Sequence, residues 1–203
     1  MPATTRQSSM EEIKRISRTP VHKGTILTMY EDGIQMPDGT VQKWDFLGHK
    51  GAAAVVPVLP DGRILMVRQF RNAIDRISLE IPAGCKDSNE EAGIDAALRE
   101  LEEETGYTSR KEDLKPLIKL VTAIAFCNET IDIFVADRLT KSHQHLDEYE
   151  FLDVEAYEPE TLVKMIYEGR IQDSKTVAAI MSYINLNKAG SKERDSLCQK
   201  RRS

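Results

Sequence analysis

Three glutamates in one short segment, Glu100, Glu103 and Glu104, carry the chain's clearest potential for chemistry. In a helix, which turns roughly 100° per residue, their carboxylates fall within an arc of about 100°. Like charges at this spacing destabilise a helix, and a divalent cation that prefers oxygen ligands removes the repulsion. The spacing therefore predicts a metal site, and the alternative is an acidic helix face that is merely solvated.

The residues around the glutamates predict how their helix is anchored. Apolar and small side chains recur at helical spacing, at Ile94, Ala97, Leu98, Leu101 and Thr105. Arg99 lies four residues before Glu103 and brings a guanidinium to the edge of the acidic cluster. Ser88 and Glu91 fit a capping box at the helix start, and Gly106 suits the left-handed residue that ends a helix. We expect one buried face, with the glutamates exposed beside it.

The composition predicts a soluble globular protein that binds neither nucleic acid nor membranes. A chain of 203 residues suffices for one domain with an additional arm. Its net charge of −5 argues against nonspecific binding to nucleic acid. The longest apolar run, residues 52–59, is too short to span a membrane. The first residues lack the apolar core of a secretory signal, and three scattered cysteines favour the reducing cytoplasm.

Alternating apolar residues and turn signals predict strands first and helices later. The pattern is strand-like over residues 21–58, and a hairpin is predicted from 51–58 to 63–70 across the Pro-Asp-Gly turn. Further strands are predicted over residues 78–81, 114–125, 130–136 and 151–157. Two helices follow, one between Pro159 and Gly169 and one from Asp173 or Ser174 to about residue 187. This order predicts a mixed sheet with helices on its faces.

The organisation along the chain predicts one main domain with two appendages. Residues 1–50 are a β-rich N-terminal extension, of which the first 20 are expected to be loose or part of an exchanged arm. Residues 51–187 form the main domain. Residues 188–203 have no apolar periodicity and are expected to be a disordered tail.

The acidic segment resembles the signature of a known enzyme family. Gly84, then a glutamate, then RELEEETGY at residues 99–107 is similar to the Nudix box of the Nudix hydrolases. The second half fits at every specified position. The first half is one residue longer: Glu90 leaves five residues after the glycine and eight before the arginine, whereas Glu91 leaves six and seven. The resemblance implies an α+β fold, the Nudix-type α/β/α sandwich with a mixed sheet, here with an N-terminal β extension.

Two further segments are similar to the ADP-ribose pyrophosphatases within that family. They are VRQFR at residues 67–71 and LEIPAG at residues 79–84, and the likeness covers about residues 20–187. In that subfamily an N-terminal extension builds a homodimer, so the resemblance implies a homodimer here. One departure concerns a loop beyond the box, where Ile124 stands in place of the subfamily's proline and Ala125 in place of its glycine. Because proline restricts the backbone, this change weakens the inference about substrate more than that about reaction class.

The resemblance also assigns roles near the metal. It implies that Glu100, Glu103, Glu104 and the backbone carbonyl of Ala83 hold Mg²⁺, with Mn²⁺ as the alternative ion. Glu103 and Arg99 are counted among the catalytic residues. A general base is expected in the acidic loop at residues 146–151, where Glu148 is the first candidate, ahead of Glu150 and Asp147. An exposed charged loop is the alternative interpretation of this segment.

The substrate contacts implied by the resemblance lie before the box. Arg71 matches a substrate-contacting arginine of the subfamily. From the strand pattern, Arg71 and Arg68 are expected to share a face and to bind phosphate oxygens with their guanidinium groups, and ordinary surface arginines are the alternative for both. Tyr30 and Trp44 are expected to stack on adenine, with core packing as the alternative for the tryptophan. Glu80 is expected to contact ribose or the N-terminal arm.

These residues together predict a metal-dependent hydrolase of nucleoside diphosphate derivatives. The predicted reaction splits ADP-ribose, a small-molecule nucleotide, into AMP and ribose 5-phosphate. Another nucleotide sugar such as GDP-mannose is the alternative substrate. A noncatalytic nucleotide-sensing module is the alternative from another functional class, and a third hypothesis makes the acidic helix a protein-binding surface.

Overall fold

The computed structural model describes residues 12–146 and 151–188. The chain divides into two compact units. The N-terminal unit comprises Met1–His49 and Ala123–Glu129, and the main unit comprises Lys50–Thr122 and Thr130–Ser203. The tail predicted to be disordered, apart from Lys188 at the end of the last helix, lies outside the described residues.

The N-terminal unit is built on a three-stranded antiparallel sheet in the order β1-β2-β3. Its strands are β1 (Lys14–Lys23), β2 (Thr28–Gln35) and β3 (Val41–Gly48). The first 20 residues were predicted to be loose or part of an exchanged arm, and the first of these alternatives is wrong for residues 14–20, which lie in β1. Almost every residue of β1 is exposed, so this strand lacks the apolar alternation by which strands are detected. Its proline, Pro20, is tolerated because β1 is an edge strand.

The main unit contains two larger sheets. The first has the order β7-β4-β10-β9 and the second the order β12-β5-β6. The strands are β4 (Ala52–Pro57), β5 (Ile64–Arg71), β6 (Arg76–Glu80), β7 (Ala83–Cys85), β9 (Lys115–Val121), β10 (Thr130–Ala136) and β12 (Leu152–Tyr157). A short pair joins β8 (Tyr107–Thr108) to β11 (Thr140–Lys141). The helices are α1 (Gly93–Thr105), α2 (Pro159–Tyr167) and α3 (Ser174–Lys188).

The strands β4 and β5 do not form the predicted hairpin ladder. The chain does turn at Gly62, whose φ is 91°, but only one bridge, between Val58 and Ile64, joins the two segments. All six residues of β4 are buried, and the strand pairs in parallel with β10 in the first sheet. A strand that is apolar on both faces is stabilised in the centre of a sheet, so β4 and β5 separate into different sheets.

Helices cover both faces of the first sheet. The helix α1 packs against one face, in a cluster that includes Ala53, Val55, Ala97, Leu101 and Phe134. The helices α2 and α3 contribute to the cluster on the opposite face, which includes Ala54, Val56, Ile133, Leu162 and Ile180. This arrangement confirms the predicted α+β class with a mixed sheet between helices. Across residues 12–146 and 151–188, no helix has the length and apolarity needed to cross a membrane.

Candidate active site

The turn after β6 brings the start of β7 against the acidic half of α1. Val55 N–H donates a hydrogen bond to the Pro82 carbonyl at 3.0 Å, which fixes the turn on the first sheet. The next N–H, that of Ala83, donates to Oε2 of Glu104 at 2.9 Å. Glu104 thus joins the helix to the turn, and the Ala83 backbone lies beside the acidic cluster.

The cluster is buried more deeply than the sequence predicts. Glu104 is 2% exposed and Glu100 is 8% exposed, so the expectation of exposed glutamates is wrong for both. The acidic arc faces β7 and the turn because α1 lies with its apolar stripe on β4 and with its adjacent face along β7. The helix ends as predicted at Gly106, which has φ of 68° and donates its N–H to the Glu102 carbonyl.

Arg99 supplies the positive charge inside this cluster. Its Nη1 donates to Oε1 of Glu100 at 2.6 Å and to Oε2 of Glu103 at 3.1 Å, and its Nη2 donates to the Cys85 carbonyl at 2.9 Å. Burial by itself would lower the pKa of Arg99, but the neighbouring carboxylates of Glu100 and Glu103 raise it overall. The guanidinium therefore stays charged and offsets the repulsion between the glutamates.

Glu91, one of the two candidates for the first glutamate of the box, lies beside Arg99 in the loop before α1. Glu91 accepts a hydrogen bond from Asp87 N–H at 2.6 Å, and its other oxygen lies 3.6 Å from Nε of Arg99. The predicted capping box is wrong, because α1 begins at Gly93 and has no side-chain cap at its N-cap residue. Glu91 therefore does not cap α1, and its carboxylate lies beside Arg99 instead.

Gly84 provides the space that the Glu100 carboxylate occupies. A Cβ added at Gly84 would lie 2.0 Å from Oε1 and 2.2 Å from Cδ of Glu100. Neither atom could stay in place beside it. The glycine is thus required by the close approach of the side chain.

We expect Gly84→Ala to separate activity from stability. The atom that must move is the end of a flexible side chain, so the fold should tolerate the methyl group at a cost of about 1 kcal/mol or less. A displaced Glu100 carboxylate should reduce kcat of the predicted hydrolysis by about 100-fold. Thermal unfolding and steady-state kinetics check the two effects, and a variant with parental kcat would show that the position of Glu100 is unimportant.

The donor set suits a hard divalent cation. Glu100, Glu103, Glu104 and the Ala83 carbonyl offer oxygen atoms only, from one helix turn and one adjacent strand, which is the ligand type that Mg²⁺ and Mn²⁺ prefer. In the described part of the chain, no three His, Cys, Asp or Glu side chains converge as in a formed metal site. Arg99 bonds to one oxygen of Glu100 and to one oxygen of Glu103, and a carboxylate has a second oxygen with which it can bind a cation.

A second charged cluster, formed by Arg71, Glu80, Lys175 and Asp173, lies at the other end of the turn. Nε and Nη2 of Arg71 donate to the two oxygens of Glu80 at 2.8 and 2.7 Å. Lys175 Nζ donates to Oε2 of Glu80 at 2.5 Å, and Glu80 is 2% exposed. Burial would raise the pKa of Glu80, but the bonds from Arg71 and Lys175 lower it from 4.5 to about 2. Lys175 was not detected in the sequence because it lies 95 residues away in α3.

This cluster lines a cavity of about 310 Å³. Its charged lining residues are Arg71, Arg76, Arg170, Lys175, Glu80 and Asp173, four cations against two acids. Both acids are paired with cations of the same lining. The cavity therefore favours an anionic ligand.

The two arginines of β5 lie on opposite faces, which corrects the prediction of a shared face. Side chains separated by three positions point to opposite sides of a strand. Arg71 contacts Glu80 and lines the cavity. Arg68 pairs instead with Glu155 of β12 at 2.9 Å and lines a separate recess with Phe151.

In the N-terminal unit, the predicted aromatic residues lie on neighbouring strands, with Tyr30 opposite Phe46 and Trp44 opposite Asp32. The Tyr30 ring lies 5.8 Å from that of Phe46, and the Arg18 guanidinium stacks 3.4 Å from the Phe46 centroid. Trp44 is 50% exposed and pairs in register with Asp32. Tyr30 thus has a local aromatic partner, whereas Trp44 has an exposed ring. The predicted base, Glu148, lies outside the described residues, as do Asp147 and Glu150.

Comparison with known proteins identifies the family. The NUDIX domain matches residues 48–180, which include the acidic helix, the turn and the cavity. The chain belongs to the Nudix family. Hydrolases of this family generally use divalent metal ions, which agrees with the oxygen-rich cluster on α1.

Two relatives match this Nudix protein over nearly their whole length. An ADP-ribose pyrophosphatase of Bacillus subtilis is 37% identical over 183 residues, which are 89% of this chain and 96% of that protein. A methanol dehydrogenase activator of Bacillus methanolicus is 36% identical over 180 residues, or 88% and 95% of the two chains. A solved structure described as an ADP compounds hydrolase superposes with a TM-score of 0.75 at 20% identity, over 87% of this chain and 94% of that one. It confirms the fold.

Proposed function

We propose that this Nudix protein hydrolyses ADP-ribose to AMP and ribose 5-phosphate. The observation that carries the proposal is the pairing of an all-oxygen acidic cluster with a cationic cavity, at the two ends of one turn. The 37% identical pyrophosphatase supports the choice of substrate. In the reaction, the oxygen of water forms a new bond to one phosphorus, the bridging P–O bond breaks, and the proton of water passes to a base.

In this proposal Glu100, Glu103, Glu104 and the Ala83 carbonyl hold Mg²⁺ or Mn²⁺. The bound ion would polarise the phosphoryl oxygens and lower the pKa of bound water. Arg99 keeps the glutamates oriented when they approach one another, because its guanidinium bonds to Glu100 and Glu103. The absence of a side chain at Gly84 leaves the space in which the Glu100 carboxylate lies.

The chain's own residues would bind the remaining parts of the substrate. Arg71 faces the cavity and offers a guanidinium to phosphate oxygens, and Glu80 orients it through two hydrogen bonds. Tyr30 and Trp44 are proposed to stack on adenine. Arg68 is proposed to hold a peripheral phosphate contact, and its pairing with Glu155 makes it a weaker candidate than Arg71.

Assembly and location complete the proposal. The N-terminal extension of residues 1–50 is proposed to form a homodimer, and the three scattered cysteines support the cytoplasm as the compartment. The net charge of −5 supports a small-molecule partner over nucleic acid.

Glu148→Gln tests the proposed general base. Removing a base that accepts the proton of water should lower kcat by about 100-fold and leave substrate affinity nearly unchanged. The measurement is steady-state kinetics alongside Glu150→Gln as the matched variant in the same loop. A parental kcat for Glu148→Gln with a reduced kcat for Glu150→Gln would transfer the role to Glu150.

A substrate panel tests the reaction. We expect Mg²⁺-dependent release of AMP from ADP-ribose, and loss of turnover in EDTA. Faster cleavage of GDP-mannose would transfer the specificity to another nucleotide sugar, consistent with Ile124 in place of the subfamily's proline. Tight binding of ADP-ribose without any turnover would indicate the sensing module, and no effect of metal at all would indicate a protein-binding helix.

A second candidate function follows from the other relative. The methanol dehydrogenase activator is 36% identical over 95% of its length, so activation of an alcohol dehydrogenase is a specific alternative outcome. It is tested by adding this Nudix protein, with Mg²⁺, to a methanol dehydrogenase and measuring the rate of methanol oxidation. An increased rate that Glu104→Gln abolishes would connect the activation to hydrolysis, whereas an increase that survives would separate them.

A further inference from the structure

Lys175 is a buried lysine in the first turn of α3. It is 9% exposed, and its Nζ donates to Oε2 of Glu80 at 2.5 Å and to Oδ2 of Asp173 at 3.0 Å. Removing an ammonium group from water costs several kcal/mol unless partners compensate. The two carboxylates therefore determine where this side chain lies.

The start of α3 is joined to the turn that carries the candidate metal ligand. Asp173 caps the helix by accepting a hydrogen bond from Thr176 N–H at 3.0 Å. The hydroxyl of Thr176 accepts a hydrogen bond from Ile81 N–H, also at 3.0 Å. Two consecutive residues of α3, Lys175 and Thr176, thus bind two consecutive residues of the chain, Glu80 and Ile81, just before the turn to Ala83.

Lys175 also reduces the extent to which Glu80 neutralises the positive charge of Arg71. A carboxylate that pairs with a single guanidinium cancels most of the positive charge of that guanidinium. Here Glu80 is shared between Arg71 and Lys175, so Arg71 keeps part of its attraction for an anion in the cavity. The same bonds hold the guanidinium in one orientation, because Glu80 engages its Nε and Nη2.

We propose that Lys175 is a positioning residue for substrate binding. It acts through Glu80, fixing the orientation of Arg71 and preserving the positive field of the cavity, without itself contacting the substrate. This inference rests on the proposed function in so far as ADP-ribose is the ligand. A purely structural role of Lys175 would predict a different result. Replacing Lys175 would then lower the free energy of unfolding and leave the affinity of the folded protein for ADP-ribose unchanged.

The test measures affinity and turnover separately. The dissociation constant of ADP-ribose is measured by calorimetry in EDTA, where hydrolysis is suppressed, and AMP release with Mg²⁺ is measured in parallel. Lys175→Met should weaken binding about tenfold, the effect of about 1.4 kcal/mol. Lys175→Arg should bind nearly as well as the parent, because it restores the cation. Lys164→Met, which removes an exposed lysine of α2, is the control and should match the parent.

A double variant tests whether Lys175 acts through Glu80. In the Glu80→Gln background the carboxylate charge is already absent, so adding Lys175→Met should change the dissociation constant by less than about twofold. This comparison also serves if Lys175→Met alone folds poorly, because the double variant leaves no uncompensated carboxylate at position 80. A further loss of about tenfold would overturn the proposal, as would parental affinity in Lys175→Met. Absence of AMP release from the parent would instead refute the proposed function, whatever the affinities show.

Discussion

Replacing Glu104 by glutamine should reduce kcat on ADP-ribose by about 1,000-fold. Glutamine retains the shape of the side chain and an oxygen that can accept the hydrogen bond from Ala83 N–H. It removes a negative charge, which should weaken the attraction of the cluster for a divalent cation. Through that cation, the same charge would help to stabilise the charge that develops at phosphorus in the reaction. Steady-state kinetics over a range of Mg²⁺ concentrations measure the effect, and the apparent metal affinity should fall together with kcat.

The stability of the Glu104 variant determines how the loss is interpreted. Because Glu104 is 2% exposed, the substitution should change the free energy of unfolding by about 1 kcal/mol, more than an exposed position would allow. Glu102→Gln is the matched control on the same helix, since Glu102 contacts Ser142 outside the cluster. We expect the control to retain parental kcat. Equal activity of Glu104→Gln and the parent would show that Glu104 is not a metal ligand.

The free energy of unfolding of the parent should fall in acid because Glu80 becomes protonated. Glu80→Gln should remove this contribution to the pH dependence. The pKa of Glu80 is lowered in the folded state from 4.5 to about 2, so the unfolded chain takes up the proton first as pH falls. The resulting stabilisation is complete above about pH 5 and is lost progressively as pH falls towards about 2. The lowering of the Glu80 pKa from 4.5 to about 2 corresponds to about 3 kcal/mol in the free energy of unfolding, or more than 100-fold in the unfolding constant.

The measurement is urea unfolding of parent and variant at pH 7 and at about pH 2.5. At pH 7, Glu80→Gln should be less stable by about 3 kcal/mol, because Lys175 and Arg71 lose their shared carboxylate. At low pH the two proteins should approach each other in stability. Glu160→Gln, in the first turn of α2, is the control and should follow the parent at both pH values. A difference between Glu80→Gln and the parent that is the same at both pH values would show that Glu80 is not the source of the acid dependence.

Local patterns in the sequence predicted many of the elements and the grouping of the three glutamates on one helix. The strand at Thr130–Ala136 and the helix end at Gly106 depend on nearest neighbours, and the structure has both as predicted. The three glutamates share a helix turn because their spacing requires it. These features could be predicted because each depends on a few consecutive residues.

Features that depend on distant residues could not be predicted in this way. The burial of Glu104 follows from the position of β7 against α1, and the role of Lys175 follows from a contact with Glu80 across 95 residues. The separation of β4 from β5 results from competition with β10 for the centre of the sheet. Neither contact has a signature in sequence spacing, because the elements involved meet only in the folded protein.

The central claim is that Glu100, Glu103 and Glu104 hold a divalent cation against a diphosphate bridge. It is tested most directly by a crystal structure of the protein with Mn²⁺ and a nonhydrolysable analogue of ADP-ribose, using the anomalous signal of the ion. We predict an anomalous peak bound by these carboxylates, with phosphate oxygens in its coordination sphere and Arg71 facing the substrate. Analogue bound elsewhere, with no ion at the three glutamates, would contradict the account.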